Sequence, residues 1–321
     1  MSANAAALRR PRPFGRFFRS FLLLRESKVG MIGASLVLFW IFIAIFAPAL
    51  APFPENEPLA RNLGPGDTFY AKPGAVLQGV PVDETCDLVE TGEFAGQYDC
   101  GTTWFGTDVR GRDTLSRIMH GASQVLTYAP LATFCAYLVG IPMGLLAGYR
   151  RGRIDDILSF VANVILSFPV LVLYILIITT TDPGPFTIIA AVVFASSPGV
   201  FRIVRGLALD LRTREYVYAA ETRGEGLWYI LVVEILPNAR GPLIVDAMLR
   251  LGYVSIAIGT LGFLGLGLPP PAPDWGQMIA QGKDVIQTQP YVVLFPCLAI
   301  SSLVLGFNLL ADGLREVSLR D

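Results

Sequence analysis

The chain has 321 residues, of which 53% are hydrophobic and only 16% are charged. A soluble globular domain usually carries about a quarter charged residues, so this composition indicates a membrane protein with several spans. The single histidine, His120, argues against a histidine triad or a histidine-based metal site. No phosphate loop of the form GxxxxGK[ST] occurs. The sequence therefore predicts no catalytic residue, no metal site and no cofactor in this chain.

Residues 1–28 form a basic segment in which seven Lys and Arg face one acid, Glu26. Within it, 13–24 is predicted either as an amphipathic helix on the membrane surface or as a plain basic topology anchor. The apolar run that follows ends in Ala-Pro-Ala, as in a signal peptide, but it is about twice the usual length of a signal core. We therefore expect a retained first span at 29–51.

Six stretches without Asp, Glu, Lys or Arg are long enough for a helix that crosses a bilayer, which takes about 20 apolar residues. In chain order they are 29–54, 121–149, 157–181, 183–201, 251–273 and 285–311. The fifth begins before Leu251, which places Asp246 and Arg250 near its inner end. This i, i+4 pair either neutralises itself on one helix face or serves as a gate or subunit contact. The prediction is an all-α polytopic membrane protein with six transmembrane helices.

Lys and Arg collect before the first span, after the second and after the fourth. With six spans these regions share one side, and the positive-inside rule makes it the cytoplasm, with both termini inside. The opposite side receives an external loop and interfacial segment, 52–120, in which 52–100 carries nine acids and two bases. Its Cys86 and Cys100 predict either a disulfide or two free thiols. The remaining domains are a permease core at 121–311, including a cytoplasmic loop at 206–238, and a cytoplasmic tail at 312–321.

The stretch 215–238, EYVYAAETRGEGLWYILVVEILPN, is charged and helix-prone between two apolar runs. A helix over 215–223 is predicted to end at Gly224, as at a C-cap glycine. A second helical run over 227–236 is predicted to stop at Pro237. A polar helical hairpin between two spans predicts a knob that contacts a soluble partner.

This segment resembles the coupling loop of the permease subunits of ATP-binding-cassette (ABC) importers. The family signature is Glu-Ala-Ala-x-x-x-Gly followed by Ile-Leu-Pro, and Tyr218 stands here where the family has its acid. The resemblance implies that the knob docks on an ATPase subunit. The residues assigned to this coupling are Glu215, Tyr218, Ala219, Ala220, Glu221, Arg223, Gly224, Leu236 and Pro237.

Three further segments resemble the C-type permeases of the dipeptide, oligopeptide and nickel group. They are GTDVRGRDTLSRI at 106–118, GFLGLGLPPPAPDWG at 262–276 and GFNLLADGLR at 306–315. The resemblance implies the type I importer permease fold and an external binding-protein face that includes Pro270, Trp275 and Gly276. The motif around Asp108, Arg112 and Asp113 has two interpretations: a functional motif of this family branch, or only a helix cap and interfacial anchor.

The resemblance implies a multi-pass protein of the bacterial inner membrane. Its implied partners are a second, homologous permease, two cytoplasmic ATPases that bind ATP and Mg²⁺, an external substrate-binding protein and the lipid bilayer, with no nucleic acid. Short peptides are the implied substrate, with nickel chelates, glutathione or another small solute as alternatives. An ion-coupled carrier acting alone is the competing class, although five of the six predicted spans lack the ionisable groups such carriers use. A purely structural membrane subunit leaves the coupling signature unexplained.

Overall fold

The computed structural model describes residues 27–318 except 62, 78, 79, 182 and 183, so the stretch 13–24 lies outside the described residues. Its helices are α1 (Lys28–Leu50), α2 (Val82–Thr85), α3 (Thr114–Arg150), α4 (Arg153–Ser167), α5 (Val170–Thr180), α6 (Pro185–Leu211), α7 (Glu215–Thr222), α8 (Leu227–Phe263), α9 (Trp275–Gly282) and α10 (Tyr291–Ser318). In the described part of the chain, five of them are long and apolar enough to cross a membrane, namely α1, α3, α6, α8 and α10.

Helices α3 and α6 pack closely and run parallel. Glycines at every fourth position of α3 face small side chains at every fourth position of α6. The facing pairs are Gly140 with Val200, Gly144 with Val204 and Gly148 with Ala208. Because the residue numbers rise together, α4 and α5 must carry the chain back across the bilayer between them. The bundle therefore has six crossings.

The third crossing, predicted as one span at 157–181, consists of two helices with a sharp bend between them. Helices α4 and α5 meet at an angle of 89°. Pro169 cannot donate a backbone hydrogen bond and disfavours helical geometry at the residue before it. Phe168 accordingly adopts an extended conformation, with φ −85° and ψ 142°. The break follows from the Phe-Pro step in an otherwise apolar run.

Helix α8 corrects two predictions. Pro237 does not end the second run, because Ile230–Ile235 form a π-helical turn and the helix continues to Phe263. The wider turn accommodates the ring of Pro237, which in an α-helix would clash with the carbonyl four residues earlier. The span placed at 251–273 instead closes at Phe263, where Gly265 adopts a left-handed φ of +77° and its N–H caps the Gly262 carbonyl.

The last helix also differs from the predicted boundaries. The run expected to span from 285 begins with a 3₁₀ turn at Lys283–Val285, and α10 starts only at Tyr291. At its other end α10 continues to Ser318, through most of the predicted tail. Helix α10 packs tightly on α1 at Gly33. Because glycine has no Cβ, the backbone of Leu310 occupies the space that a side chain would need there.

Residues 52–113 form a small subdomain with strands that the sequence pattern did not predict. The strands are β1 (Asp67–Ala71), β2 (Val76–Leu77), β3 (Val80–Pro81), β4 (Asp87–Leu88) and β5 (Tyr98–Thr103). β5 lies between β1 and β4 with antiparallel pairing, and β2 pairs with β3. A disulfide joins Cys86 to Cys100 beside a core that contains Phe53 and Phe69. Strands this short carry too few residues for a period-two pattern to stand out.

The subdomain and α7 lie at opposite ends of the bundle. Helix α3 begins beside the subdomain, where the hydroxyl of Ser116 accepts a hydrogen bond from the N–H of Phe53 at 3.2 Å. It ends beside α7, where Tyr149 contacts Glu221. Helix α1 runs towards the subdomain and α10 runs away from it. The described chain therefore begins and ends at the α7 end.

Candidate functional site

The turn after α7 is built around Gly224, which has a left-handed φ of +78°. Its N–H donates to the carbonyl of Glu221 at 2.9 Å, and the N–H of Glu225 donates to that of Ala220 at 3.2 Å. These bonds satisfy the last carbonyls of the helix. A residue with a Cβ would be strained at this φ. The predicted glycine turn is confirmed.

The inner face of α7 packs on the membrane bundle. Val217 and Ala220 are fully buried in a cluster that includes Leu145 of α3 and Val204 of α6. The side chains of the π turn contribute to the same cluster. Ala220 was assigned to ATPase contacts, and the structure corrects this position because no part of Ala220 is accessible. Its small side chain instead lets α7 lie close to the bundle.

The outer face of α7 is accessible and aromatic. Glu215, Tyr218 and Ala219 are exposed, at the i, i+3 and i+4 spacing that puts them on one side of a helix. Tyr218, which replaces the acid of the motif, is 55% exposed. Trp228 lies just after the glycine turn and is 63% exposed, and the sequence interpretation did not single it out. A tryptophan four residues after the motif glycine is the sequence feature that could have indicated Trp228 as a contact residue.

Two charged residues of the motif make contacts within the chain. Arg223 lies 3.5 Å from Glu225 and 3.4 Å from Glu234, so it braces the turn against the start of α8. Glu221 accepts a hydrogen bond of 2.7 Å from the hydroxyl of Tyr149 at the end of α3. Arg212 also donates to the backbone carbonyl of Tyr149 at 3.0 Å. The role of Tyr149 depends on a contact across 72 positions, which no local motif reveals.

Leu236 and Pro237, the last two residues of the predicted coupling set, lie away from the outer face of α7. They line a cavity of about 530 Å³ between α3 and α8. The π turn explains this position. It allows the helix to continue through Pro237, which therefore does not lie at the end of a hairpin.

At the opposite end of the bundle, Trp275 is buried, with 1% of its surface accessible. Its indole N–H donates to the carbonyl of Ile118 at 2.9 Å, and the ring fills the space above Gly121. Gly276 lies directly on the backbone of Gly259. Trp275 and Gly276 therefore join α9 to α3 and α8 and do not form the predicted external face, whereas Pro270 is exposed in the preceding loop.

Asp274 explains two glycines of the 262–276 motif. Its carboxylate caps α9 by accepting from the N–H groups of Gly276, at 2.8 Å, and Gln277, at 3.2 Å. The same carboxylate occupies the space that Cβ atoms would need at Gly262 and Gly267. Burial raises the pKa of Asp274 above its ordinary value.

The 106–118 motif is a helix cap and anchor, as one of the two sequence interpretations predicts. Asp113 caps α3 by accepting from the N–H of Ser116 at 2.8 Å and from its hydroxyl at 2.6 Å. Asp108 pairs with Arg112 at 2.6 Å. The wholly buried Arg117 donates to the carbonyl of Glu55 at 3.0 Å and so fastens the start of the subdomain. Burial raises the pKa of Asp113.

The predicted pair within α8 is formed. The Nε of Arg250 lies 2.7 Å from the Oδ2 of Asp246. The hydroxyl of Tyr137 on α3 donates to the same oxygen. On α6, the absence of a side chain at Gly199 leaves space for the guanidinium group of Arg250. The pair therefore joins three spans, and its side chains keep 14% and 17% of their surface accessible.

Residues 140–320 match the family model of the binding-protein-dependent transport system inner membrane component. Residues 13–65 match the N-terminal transmembrane domain of oligopeptide transport permease C. Among solved structures, two crystal forms of the MetNI methionine ABC transporter in inward-facing conformations share the fold, with TM-scores of 0.54 and 0.55 at 20% identity. They cover 64% of this chain and 96% and 97% of theirs.

Curated relatives align over nearly the whole chain. The dipeptide permease DppC of Alkalihalophilus pseudofirmus is 33% identical, over 92% of this chain and 87% of its own. The di/tripeptide permease DppC of Pseudomonas aeruginosa is 32% identical, over 98% of this chain and 94% of its own. The glutathione permease GsiD of Pectobacterium atrosepticum is 37% identical, over 95% of this chain and 90% of its own. The chain therefore belongs to the inner-membrane permease subunits of binding-protein-dependent ABC importers, whose ATPase activity resides in separate subunits.

Proposed function

We propose that the chain forms half of the translocation pathway of an importer for short peptides. The observation that carries this proposal is the α7 hairpin, which presents an accessible outer face while its inner face is fixed to α3, α6 and α8. The full-length relatives are named as dipeptide, di/tripeptide and glutathione permeases, which supports peptides as the substrate class. The family implies ATPase, binding-protein and second-permease partners. We infer a heterodimer of permeases with two ATPases, which would bind the ATP and Mg²⁺.

In this proposal the basic regions place the α7 end in the cytoplasm and the subdomain outside. The disulfide between Cys86 and Cys100 supports that orientation, because such bonds persist in oxidising compartments. The subdomain and the exposed loop at Pro270 would then meet the substrate-binding protein. Tyr218, Ala219, Glu215 and Trp228 would meet the ATPase.

The packing of α7 supplies a mechanism for coupling. Movement of an ATPase against the outer face would shift α7 together with Val217 and Ala220, which are embedded between α3 and α6. The π turn leads without interruption into α8, so the same displacement would reach the middle of the membrane along one continuous helix. Access would switch between sides when nucleotide binding favours one of two arrangements.

Glutathione is a second candidate substrate, favoured by the 37% identity to the GsiD permease. Nickel chelates and other small solutes remain hypotheses from the branch resemblance. In all of these, the binding protein would select the ligand. The competing hypothesis of an ion-coupled carrier predicts uptake by this chain alone in liposomes.

The test uses the full complex in proteoliposomes and compares two neighbouring glycines. Gly224→Val forces a side chain into a left-handed φ of +78°, whereas Gly226→Val falls at an ordinary φ of −70°. Neither position has a neighbouring atom that a Cβ would meet. We expect Gly224→Val to abolish ATP-dependent peptide uptake while insertion into the membrane is unchanged, and Gly226→Val to retain uptake. Full coupling in Gly224→Val would contradict the assignment of α7.

A further inference from the structure

One side of the pair formed by α8 and α10 carries uncharged polar side chains within the membrane. The two helices meet at two glycines of α8. A Cβ on Gly252 would lie 3.6 Å from Val304 of α10, and a Cβ on Gly259 would lie 3.2 Å from Ile300. The residue numbers rise on one helix as they fall on the other, so the two helices are antiparallel.

Tyr253 and Ser301 lie on the same side of this pair. Each directly follows a contact residue, Gly252 or Ile300, and one residue turns about 100° around a helix. Viewed from one end, antiparallel helices turn in opposite senses, so both steps lead to the same side. Residues seven positions apart share a helix face, which adds one polar residue on each helix. This set, called the polar face, consists of Tyr253, Thr260, Ser301 and Asn308.

The polar face has two levels. Asn308 reaches the level of Tyr253, because its Oδ1 lies 3.3 Å from the position of a Cβ on Gly252. Thr260 and Ser301 form the other level, since each follows a residue of the second contact between the helices. Seven residues separate the levels along each helix, which is about 10 Å.

The hydrogen-bonding groups of the polar face are largely unused. Tyr253 is 67% exposed, Ser301 is also exposed, and Asn308 is partly accessible. Within the part of the chain that the structure describes, none of these three side chains forms a hydrogen bond. Thr260 donates to the carbonyl of Ile256 at 2.8 Å, and its oxygen lone pairs can still accept. The face therefore offers donors and acceptors to a partner outside this chain.

The depth of these groups follows from the helix ends. In the proposed orientation Tyr253 precedes the outer end of α8, Phe263, by ten residues, which is about 15 Å. Ser301 follows the outer start of α10, Tyr291, by ten residues, which is again about 15 Å. Because the hydrocarbon core of a bilayer is about 30 Å thick, both side chains lie well inside it.

The exposed face of α1 provides a comparison with a surface suited to lipid. Its exposed side chains include Leu38, Phe39, Phe42, Ile45 and Phe46. Its exposed serine, Ser35, donates to the carbonyl of Met31 at 2.8 Å, so its hydroxyl hydrogen is paired within the helix. The hydroxyls of Tyr253 and Ser301 have no such partner, and unpaired polar groups are unfavourable in hydrocarbon. This difference favours contact of the polar face with water and polar solutes.

We propose that the polar face lines the water-filled translocation pathway and hydrogen-bonds the backbone of a peptide in transit. Hydroxyl and amide side chains both donate and accept, as do the N–H and C=O groups of a peptide. An extended tripeptide spans roughly 10–11 Å, so one short peptide reaches both levels. The exposed Ile256, Leu298 and Leu305 on the same two helices would contact apolar side chains of the peptide. This inference rests on the proposed function and names the surface that meets the substrate.

The first experiment measures whether water reaches the polar face. The complete complex is placed in nanodiscs, which expose both membrane sides, after the free Cys135 and Cys297 have been replaced by alanine. Tyr253→Cys and Ser301→Cys are then treated with a charged methanethiosulfonate, which reacts with thiolates in water. We expect both to be modified at least tenfold faster than Ser35→Cys, the matched control, because Ser35 is an exposed serine on the apolar face of α1.

The second experiment measures the contact with peptide. In proteoliposomes that contain the complete complex, Tyr253→Phe and Ser301→Ala are each expected to lower ATP-dependent uptake of dialanine at least threefold, whereas Ser35→Ala stays at the wild-type rate. Basal ATP hydrolysis, measured on the same samples, should be unchanged in all three variants. A variant with a fold defect would lose both activities, and Tyr253→Trp and Ser301→Thr, which keep a hydrogen-bond donor, should then restore neither.

Modification of Tyr253→Cys and Ser301→Cys at the rate of Ser35→Cys overturns the proposal, because the face would then lie in lipid or against the second permease. Unchanged dialanine uptake in both Tyr253→Phe and Ser301→Ala overturns the contact with peptide. Rapid modification together with reduced uptake and normal basal hydrolysis supports it. Absence of uptake of any di- or tripeptide by the wild-type complex contradicts the proposed function instead, and the modification rates still decide whether this face lines a pathway.

Discussion

The hydroxyl of Tyr149, in the last turn of α3, donates a hydrogen bond of 2.7 Å to the carboxylate of Glu221 on α7. This bond is the polar part of a junction whose apolar part is formed by Val217 and Ala220. Glu221 is itself exposed, so this bond lies at the accessible edge of the contact between α7 and the bundle. A residue at a variable position of the family signature thus contributes to the link between the knob and the spans.

Removing this hydroxyl is expected to weaken coupling. A hydrogen bond of this kind contributes about 1 kcal/mol, which corresponds to roughly a fivefold change in an equilibrium between two arrangements. We expect Tyr149→Phe to lower the amount of peptide transported per ATP hydrolysed by a few-fold. The measurement compares uptake with phosphate release in the same proteoliposomes.

A double-mutant cycle provides the control for that prediction. Glu221→Gln alone should have a similar effect, and Tyr149→Phe with Glu221→Gln should be no worse than either single variant, because both remove one interaction. Strictly additive losses would show that Tyr149 acts through some other contact.

A single added methyl group in the contact between α3 and α6 is expected to destabilise the protein. A Cβ on Gly144 would lie 2.6 Å from the Cβ of Val204, whereas a Cβ on Gly206 would meet nothing within 4 Å. Gly144→Ala should destabilise the protein by about 1–3 kcal/mol through overpacking. Gly206→Ala should be neutral or stabilising by up to about 1 kcal/mol, because alanine favours the helix. Thermal unfolding in detergent distinguishes the two, and equal midpoints would contradict the packing.

The disulfide is expected to stabilise the subdomain rather than the membrane bundle. It closes a loop with a separation of 14 residues, for which the chain-entropy model gives a contribution of about 3 kcal/mol. Replacement of Cys86 and Cys100 by serine should accelerate proteolysis within the subdomain and leave the spans protected. Alkylation of both residues in unreduced wild-type protein, detected by mass spectrometry, would show that the bond does not form.

The pH dependence of the stability of the protein should show that the pKa of Asp274 is raised. Burial raises its pKa above the ordinary value of about 3.9, so the folded state holds this proton more tightly than the unfolded state. The resulting stabilisation is complete below about pH 4 and is lost as the pH rises through the folded pKa. The midpoint of wild type relative to Asp274→Asn should therefore increase when the pH is lowered from 7 to 4.5.

The comparison isolates Asp274, because Asp113, whose pKa burial also raises, is present in both proteins and its contribution cancels. A midpoint difference that stays constant across this pH range would mean that Asp274 titrates normally in the folded protein.

Local patterns were sufficient for the features that depend on neighbours in the chain. The apolar runs predicted where the spans lie, because a helix in a bilayer must satisfy its backbone internally. Gly224 predicted the turn after α7, since a left-handed φ favours glycine wherever it occurs. The i, i+4 spacing of Asp246 and Arg250 predicted their pairing, which the structure contains at 2.7 Å.

Features that depend on distant packing were not predictable in this way. Pro237 indicated a helix end, and only the π turn ahead of it, held in the packed cluster of α3, α6 and α7, lets α8 continue. Trp275 looked like part of an external face, yet it is buried against Ile118, 157 positions away.

The sequence by itself determined the class of protein, the number of membrane segments and the position of the polar hairpin between them. All of these follow from composition and from spacing within one helical turn or one span. The tertiary structure decided which side of each helix is accessible, and so assigned Ala220 to the interior and Tyr218 to the surface. It also brought Tyr149 to Glu221 and Tyr137 to Asp246. The physical reason is that burial and hydrogen bonding depend on which helices become neighbours. Tertiary packing determines these neighbours, and a local sequence pattern contains no information about them.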